Sequence, residues 1–224
     1  MREPLVFRGR SWPAARGTPA ARLGDGGEFG LGSVLVHTSG AGREYEVREP
    51  QAWWRDFAEV APHDERRAVS FVQRRGDPAG VLSPTNPVST TAEAWVSLRA
   101  LLRAAARAWE PGRENAESRY GHGGVSPSDA VREFLGALGP GWTDELSVTY
   151  DGLQPVTVAR TLRAFMLASA MASLRHRAPM RWCAYCHSWF HPARTDARFD
   201  TASCRAAFAN RRSSPHGVAS QDKD

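Results

Sequence analysis

At 224 residues the chain is long for one small domain and short for two large ones, so a main body with a small appended module is the expected plan. Its 42% apolar residues, 24% charged residues and eight Trp exclude a disordered polymer and a coiled coil. No apolar run approaches the length of about 18 residues that a membrane span needs, and the Arg-containing start lacks an apolar signal region, which predicts a cytoplasmic protein with no membrane partner. The net charge is +5, carried by 28 Arg and one Lys, a compositional bias that by itself names no partner.

Residues 1–29, rich in Gly, Pro, Arg and Ala, lack sustained periodicity and are expected to be irregular, with at most one short strand. The body is expected over 30–177. It opens with Val34-Leu35-Val36, a Gly-containing turn at 39–42, and alternating Tyr45 and Val47, which together predict a hairpin. After Pro50 the spacing of Trp53, Trp54, Phe57 and Val60 predicts a short helix, and Val69, Phe71 and Val72 predict a second one after Asp64 that ends at Gly76. The strongest stripe is Trp95, Leu98, Leu102, Ala105 and Trp109, stopped by Pro111-Gly112. A linker from 119 leads to a helix holding Val131, Phe134, Leu135 and Leu138, with Ser128 or Asp129 as its N-cap. The segments 146–150 and 155–159 flank an Asp-Gly turn as a second hairpin, and Leu162, Phe165, Met166 and Ser169 form one face of a last body helix.

Chemistry concentrates after Pro179. Between Arg175 and Arg212 there are eight Arg against Asp196 and Asp200, a local balance of +6, so the remainder of the chain is close to neutral. All three cysteines, Cys183, Cys186 and Cys204, fall in the same window. An odd number of clustered thiols in a reducing compartment argues against a disulfide framework and for thiolate ligands. A Cys-x2-Cys knuckle brings two sulfurs to one side of a tight turn, and a further ligand in the first turn of the following helix, which 202–212 can form, completes a pocket for Zn²⁺. A module of this size holds too little apolar surface to fold alone, so such a zinc would be structural.

The run C-x2-C, aromatics, Pro192, Arg194, Asp196, Phe199 and then Cys204-Arg205 opening a basic helix resembles the CGNR-type zinc finger and related treble-clef modules over residues 182–212. The tetrapeptide that names the type is replaced here by Cys204-Arg205-Ala206-Ala207. The resemblance implies a helical, ABATE-like N-terminal region and a stress-induced transcriptional regulator. It also places a cysteine four residues before Cys204, where this chain has Asp200. Carboxylate oxygen is an admissible zinc ligand, so the expected set is Cys183, Cys186, Asp200 and Cys204, with His187, His191, His216 or water as alternatives for the fourth position. In the remaining alternative the thiols pack without metal.

The expected architecture is therefore α+β and mainly α: a helical body with short β-hairpins, a treble-clef-like zinc finger at 181–212, and a disordered tail at 213–224. Arg194, Arg198, Arg205, Arg211 and Arg212 lie around the hairpin and helix of the finger and are the candidate phosphate-gripping residues for DNA, the alternative being a solvated face. The aromatics Trp182, Trp189, Phe190, Phe199 and Phe208 are read as the module's own core. No nucleophile elbow or phosphate loop accompanies the small residues at 121–129, so no enzyme is expected. The leading expectation is a DNA-binding regulator whose body senses a ligand or dimerises. The alternatives are a protein-interaction module with a structural zinc knuckle and an HNH-like metal-dependent nuclease using His187, His191 or His216.

Overall fold

The computed structural model describes residues 4–19, 34–61, 63–91, 93–109, 127–139 and 141–213. The GDGGEFG run, the stop at Pro111-Gly112, the linker at 119–126, and the tail from 214 with His216 lie outside the described residues. The chain divides into two units, Met1–Ala178 and Pro179–Asp224, beside the expected break between 177 and 181.

The N-terminal unit begins with β1 (Leu5–Ser11), β2 (Arg16–Pro19), β3 (Val34–His37) and β4 (Arg43–Val47). It continues through α1 (Trp53–Glu59), α2 (Glu65–Arg75), β5 (Val88–Thr90), α3 (Glu93–Trp109) and α4 (Pro127–Ala137). A 3-10 turn at Trp142–Glu145 then leads to β6 (Leu146–Asp151), β7 (Gln154–Ala159) and α5 (Leu162–Arg175). Four strands form a mixed sheet in the order β4-β1-β7-β6, with β1 antiparallel to β4 and parallel to β7. A second, antiparallel sheet has the order β2-β3-β5.

Two expectations are corrected here. Residues 5–19 are not irregular: β1 occupies the interior of the larger sheet, with Leu5 and Phe7 buried. Gly9 and the flanking Arg8 and Arg10 disguise its alternation, because those arginines lie on the outer face and pair with Glu46 and Glu44. The segments 34–37 and 43–47 do not form a hairpin but belong to different sheets. Val34, Leu35 and Val36 are all buried, the pattern of a strand covered on both faces, whereas β4 alternates like a half-exposed edge. The architecture thus mixes helices and sheets more evenly than a mainly helical body would.

The helices follow the expected stripes. Asp64 caps α2, its carboxylate accepting from the Arg67 amide at 3.0 Å, and Gly76 ends it at φ 103°, where a Cβ would run into the Arg10 carbonyl. Trp95, Leu98, Leu102 and Ala105 of α3 are buried, and α3 packs against α1, α4 and α5. Helix α4 starts at Pro127, so Ser128 and Asp129 sit inside its first turn rather than at the N-cap, and Asp129 pairs with Arg132 at 2.7 Å. Helix α5 exceeds its expected single face: Ala164, Phe165, Met166 and Leu167 are consecutive and all buried, as in a helix surrounded by its own domain. Phe165 stacks on Phe7 (5.1 Å between centroids) and meets Trp53 edge-on (5.3 Å), joining the sheet to α1.

Thr161 caps α5 by accepting from the Ala164 amide at 3.1 Å. Its last turn closes with the Ala178 amide on the Ser173 carbonyl and the Arg177 amide on the Leu174 carbonyl, with Arg177 left-handed at φ 44°. This double closure terminates the helix at the unit boundary.

Candidate metal centre

In the C-terminal unit β8 (Arg181–Trp182) and β9 (Trp189–Phe190) pair antiparallel, and α6 (Ala202–Ser213) follows an irregular segment. The turn between the strands is a compact loop: the Cys183 amide donates to the Ser188 carbonyl at 2.9 Å and the His187 amide to the Cys183 carbonyl at 3.1 Å. His187, directly after the second cysteine, is left-handed at φ 55°. That conformation costs a non-glycine residue roughly 1–3 kcal/mol and persists only where the surrounding structure holds it. Here it reverses the chain so that both cysteines stay on one side of the turn.

The third cysteine is delivered by a helix cap. Thr201 Oγ1 accepts from the Cys204 amide at 3.1 Å, and its carbonyl accepts from Arg205, so Thr201 is the N-cap of α6 and Cys204 lies in the first turn. Phe199 and Phe208, 5.2 Å apart, tie the segment before α6 to the helix, and the Ala184 amide donates to the Arg198 carbonyl at 3.0 Å, holding that segment over the knuckle. As a result the sulfurs of Cys183, Cys186 and Cys204 all lie within 4.8 Å of one another, and no disulfide joins them. Tetrahedral thiolate bonds of about 2.3 Å place sulfurs roughly 3.8 Å apart, so the three thiols are spaced to hold a metal ion.

Backbone amides prepare one of these sulfurs, that of Cys183, for charge. Burial pushes the Cys183 thiol up, but the amides of Asp200, Cys186 and Tyr185 donating to its sulfur outweigh this and hold it below the usual thiol range. Burial and a hydrogen bond to Cys183 push the Cys186 thiol up to about 11. A cation between the sulfurs displaces the proton they share, since the thiolate is the ligand. The thiol chemistry therefore fits a soft or borderline metal.

The other expected ligands are placed differently. Asp200 approaches the site through its backbone, with its amide 3.4 Å from Cys183 Sγ, while its carboxylate is outside the group of clustered ligand atoms. His187 accepts at Nδ1 from the Trp182 indole at 3.3 Å, and His191 Nδ1 lies 3.1 Å from the Pro179 carbonyl. The described residues thus assemble three ligands. Reading the sequence missed the left-handed His187 and the three amide donors, which are main-chain features, and the Thr201 cap. Only Thr201 carried a signal, a Thr three residues before a helical cysteine.

Of the candidate phosphate ligands, Arg194, Arg198, Arg205 and Arg211 are exposed, as is Arg181. Arg194 lies 3.7 Å from Asp196, and among the described residues Arg198, Arg205 and Arg211 make no ion pair. Trp182, read from sequence as core, is partly exposed at 43%, and so is Tyr185 beside it at 36%. Phe190 is buried, as expected. Comparison with protein families, with curated proteins and with solved structures finds no match.

Proposed function

We propose that the C-terminal unit is a treble-clef-like zinc finger that binds DNA through its arginines, and that the N-terminal unit serves it as a regulatory body in a transcriptional regulator of the CGNR type. The observation that carries this reading is the coincidence, in one small unit, of three clustered thiols and exposed arginines, of which Arg198, Arg205 and Arg211 make no ion pair among the described residues. The metal fixes the hairpin and α6, and Arg194, Arg198, Arg205, Arg211 and Arg212 then offer guanidinium groups to phosphates. Cys183, Cys186 and Cys204 would hold the zinc, with the Asp200 carboxylate turning in as fourth ligand. Bound zinc supplies folding free energy, and the role is binding rather than catalysis.

The test is binding of the zinc-loaded chain to a fluorescent duplex in a salt series from about 50 to 200 mM, where each neutralised phosphate contributes about −0.9 to the log-log slope. Reversing Arg205 and Arg211 to Glu is expected to weaken all duplexes alike by roughly tenfold or more and to flatten the slope by about two units, with zinc content unchanged. Wild-type affinity and slope in that double variant would falsify the assignment. A second reading draws on the exposed Trp182 and Tyr185: the knuckle seats a protein partner and the charge is incidental. Absence of duplex binding at the lowest salt favours that reading.

A further inference from the structure

The four-stranded sheet ends in two edges of opposite character. On one side β4 reads Arg43-Glu44-Tyr45-Glu46-Val47, and its carboxylates are held by Arg8, Arg10 and Arg48. Charge on an edge strand discourages a further strand from pairing with it. On the other side β6 reads Leu146-Ser147-Val148-Thr149-Tyr150-Asp151, rich in β-branched and aromatic residues, uncharged until its last position and free of Pro. Val148 is 65% exposed, Tyr150 71%, and Leu153 at the hairpin tip 98%.

Hairpin geometry decides which main-chain groups of β6 face outward. Asp151 and Gln154 close a two-residue loop with Gly152 at φ 63°, and a pair closing such a loop exchanges hydrogen bonds. Alternation then turns the N–H and C=O of Asp151, Thr149 and Ser147 toward β7, and those of Tyr150, Val148 and Leu146 outward. Two observations agree: Pro155, which has no N–H, stands opposite Tyr150, and the Arg160 amide donates to the Glu145 carbonyl at 2.9 Å. The registers place Val148 and Tyr150 on the same sheet face as Ala159, Leu5 and Phe7, which are buried in the core. The core face of the sheet therefore continues into exposed apolar side chains along β6.

We propose that β6 is a dimerisation edge, pairing antiparallel with β6 of a second copy of this chain about a two-fold axis at Thr149. The strand is its own complement in that register. Val148 meets the partner's Tyr150 and Tyr150 meets the partner's Val148, two aromatic and β-branched cross-strand pairs of the stabilising kind. These residues are also the ones whose main-chain groups face outward, so each pair exchanges its N–H···O bonds. Thr149 faces the partner's Thr149 on the opposite sheet face, and Asp151 faces the partner's Ser147, so no like charges meet. An uncharged edge that matches its own reverse selects a second copy over an acidic or basic partner, and the product is a continuous eight-stranded sheet. One strand pair and its side chains form a small interface, so association is reversible in the roughly micromolar range.

Sedimentation velocity of the full chain from about 1 to 200 µM is expected to show a concentration-dependent doubling of mass. Thr149 is exposed, so Thr149→Lys and Thr149→Glu are expected to fold, and each sets like charges across the axis. Each variant alone stays monomeric through the series, and an equimolar mixture of the two recovers the dimer. In the wild-type chain, amide exchange at Val148 and Tyr150 slows as concentration rises, a readout that needs no variant. A wild-type chain monomeric throughout overturns the proposal and assigns the edge to another occupant. A dimer that both variants retain places the interface elsewhere, and a mixture that remains monomeric overturns the register.

Discussion

In the N-terminal unit Arg8 and Arg48 hold Glu46, Arg10 holds Glu44, Arg107 reaches Glu133 and Arg163 reaches Glu145, while in the C-terminal unit Arg198, Arg205 and Arg211 have no such acidic partners among the described residues. The cores differ in the same sense. The first unit buries Trp12, Trp54, Trp95, Phe57, Phe71, Phe134 and Phe165 almost completely, whereas among its described residues the second buries Met180, Cys183, Ser188, Phe190 and Pro192. One unit is held by burial and carries a set of arginine–glutamate pairs. The other has a much smaller core and keeps those three exposed arginines outside any ion pair among the described residues, the contrast from which the proposed division into scaffold and binding module is drawn.

Metal removal separates the two most sharply. A strong chelator, or Cys183→Ser, is expected to unfold the C-terminal unit alone, because structural zinc contributes on the order of 10 kcal/mol to so small a module. Limited trypsin digestion reads this out: cleavage after Arg194, Arg198 and Arg205 accelerates while the body resists. If the chelated chain remains protected at those arginines, the module folds without metal and the contrast fails.

The reciprocal experiment breaks the body. Phe165 is fully buried between Phe7 and Trp53, and Phe165→Ala should cost about 3–5 kcal/mol through lost contact and the cavity left behind. Thermal unfolding of the body should shift down while the chain keeps one equivalent of zinc by elemental analysis. Loss of zinc in that variant would show that the two units fold as one.

A smaller effect sharpens the account of the metal. Asp200→Ala keeps the amide that donates to Cys183 and removes only the carboxylate. Zinc affinity measured by chelator competition should fall by about tenfold or more if the carboxylate completes the tetrahedron, and unchanged affinity gives the fourth position to another donor.

The smallest expected effect concerns the body at high pH. Tyr45 donates its hydroxyl to the Arg75 carbonyl, and burial pushes its phenol well above the ordinary range against the pull of Arg75. Because the folded state raises this pKa, the contribution of the neutral phenol is fully present below the unfolded value of about 10 and is lost as pH rises beyond it. Tyr45→Phe should cost about 1 kcal/mol at neutral pH and make the alkaline decline in stability shallower. Parallel declines in denaturation midpoint for both proteins from about pH 9 to 11, one unit either side of the free phenol value, would sink that assignment.

The stripes on α3 and α5, the Asp64 cap and the hairpin of β6 and β7 were legible in the sequence because each is a local pattern with a period or a turn residue. The pairing of β1 with β7 was not, since Leu5 and Thr157 meet through long-range contacts that no local spacing encodes. The metal centre divides the same way. Cys-x2-Cys and the third thiol could be read directly, but the amides around Cys183 and the backbone role of Asp200 depend on how the segment before α6 closes over the knuckle. Val148 and Tyr150 looked like ordinary strand residues, and their exposure became visible only once β6 was placed at an edge.

The position of β1 has a consequence for synthesis. The strand at Leu5–Ser11 takes its parallel partner from Gln154–Ala159, so about 150 residues must be made before that pairing can form. At ribosomal rates of about 5–20 residues per second this is a wait of roughly 8–30 s, during which Leu5 lacks its strand partner Thr157 and Phe7 lacks Ala159. Nascent chains arrested before residue 154 should therefore expose the β1 segment to protease and to chaperones, and those extended through α5 and clear of the exit tunnel should protect it. The body is thus expected to assemble after its last strand and helix have emerged, late rather than stepwise from the N-terminus.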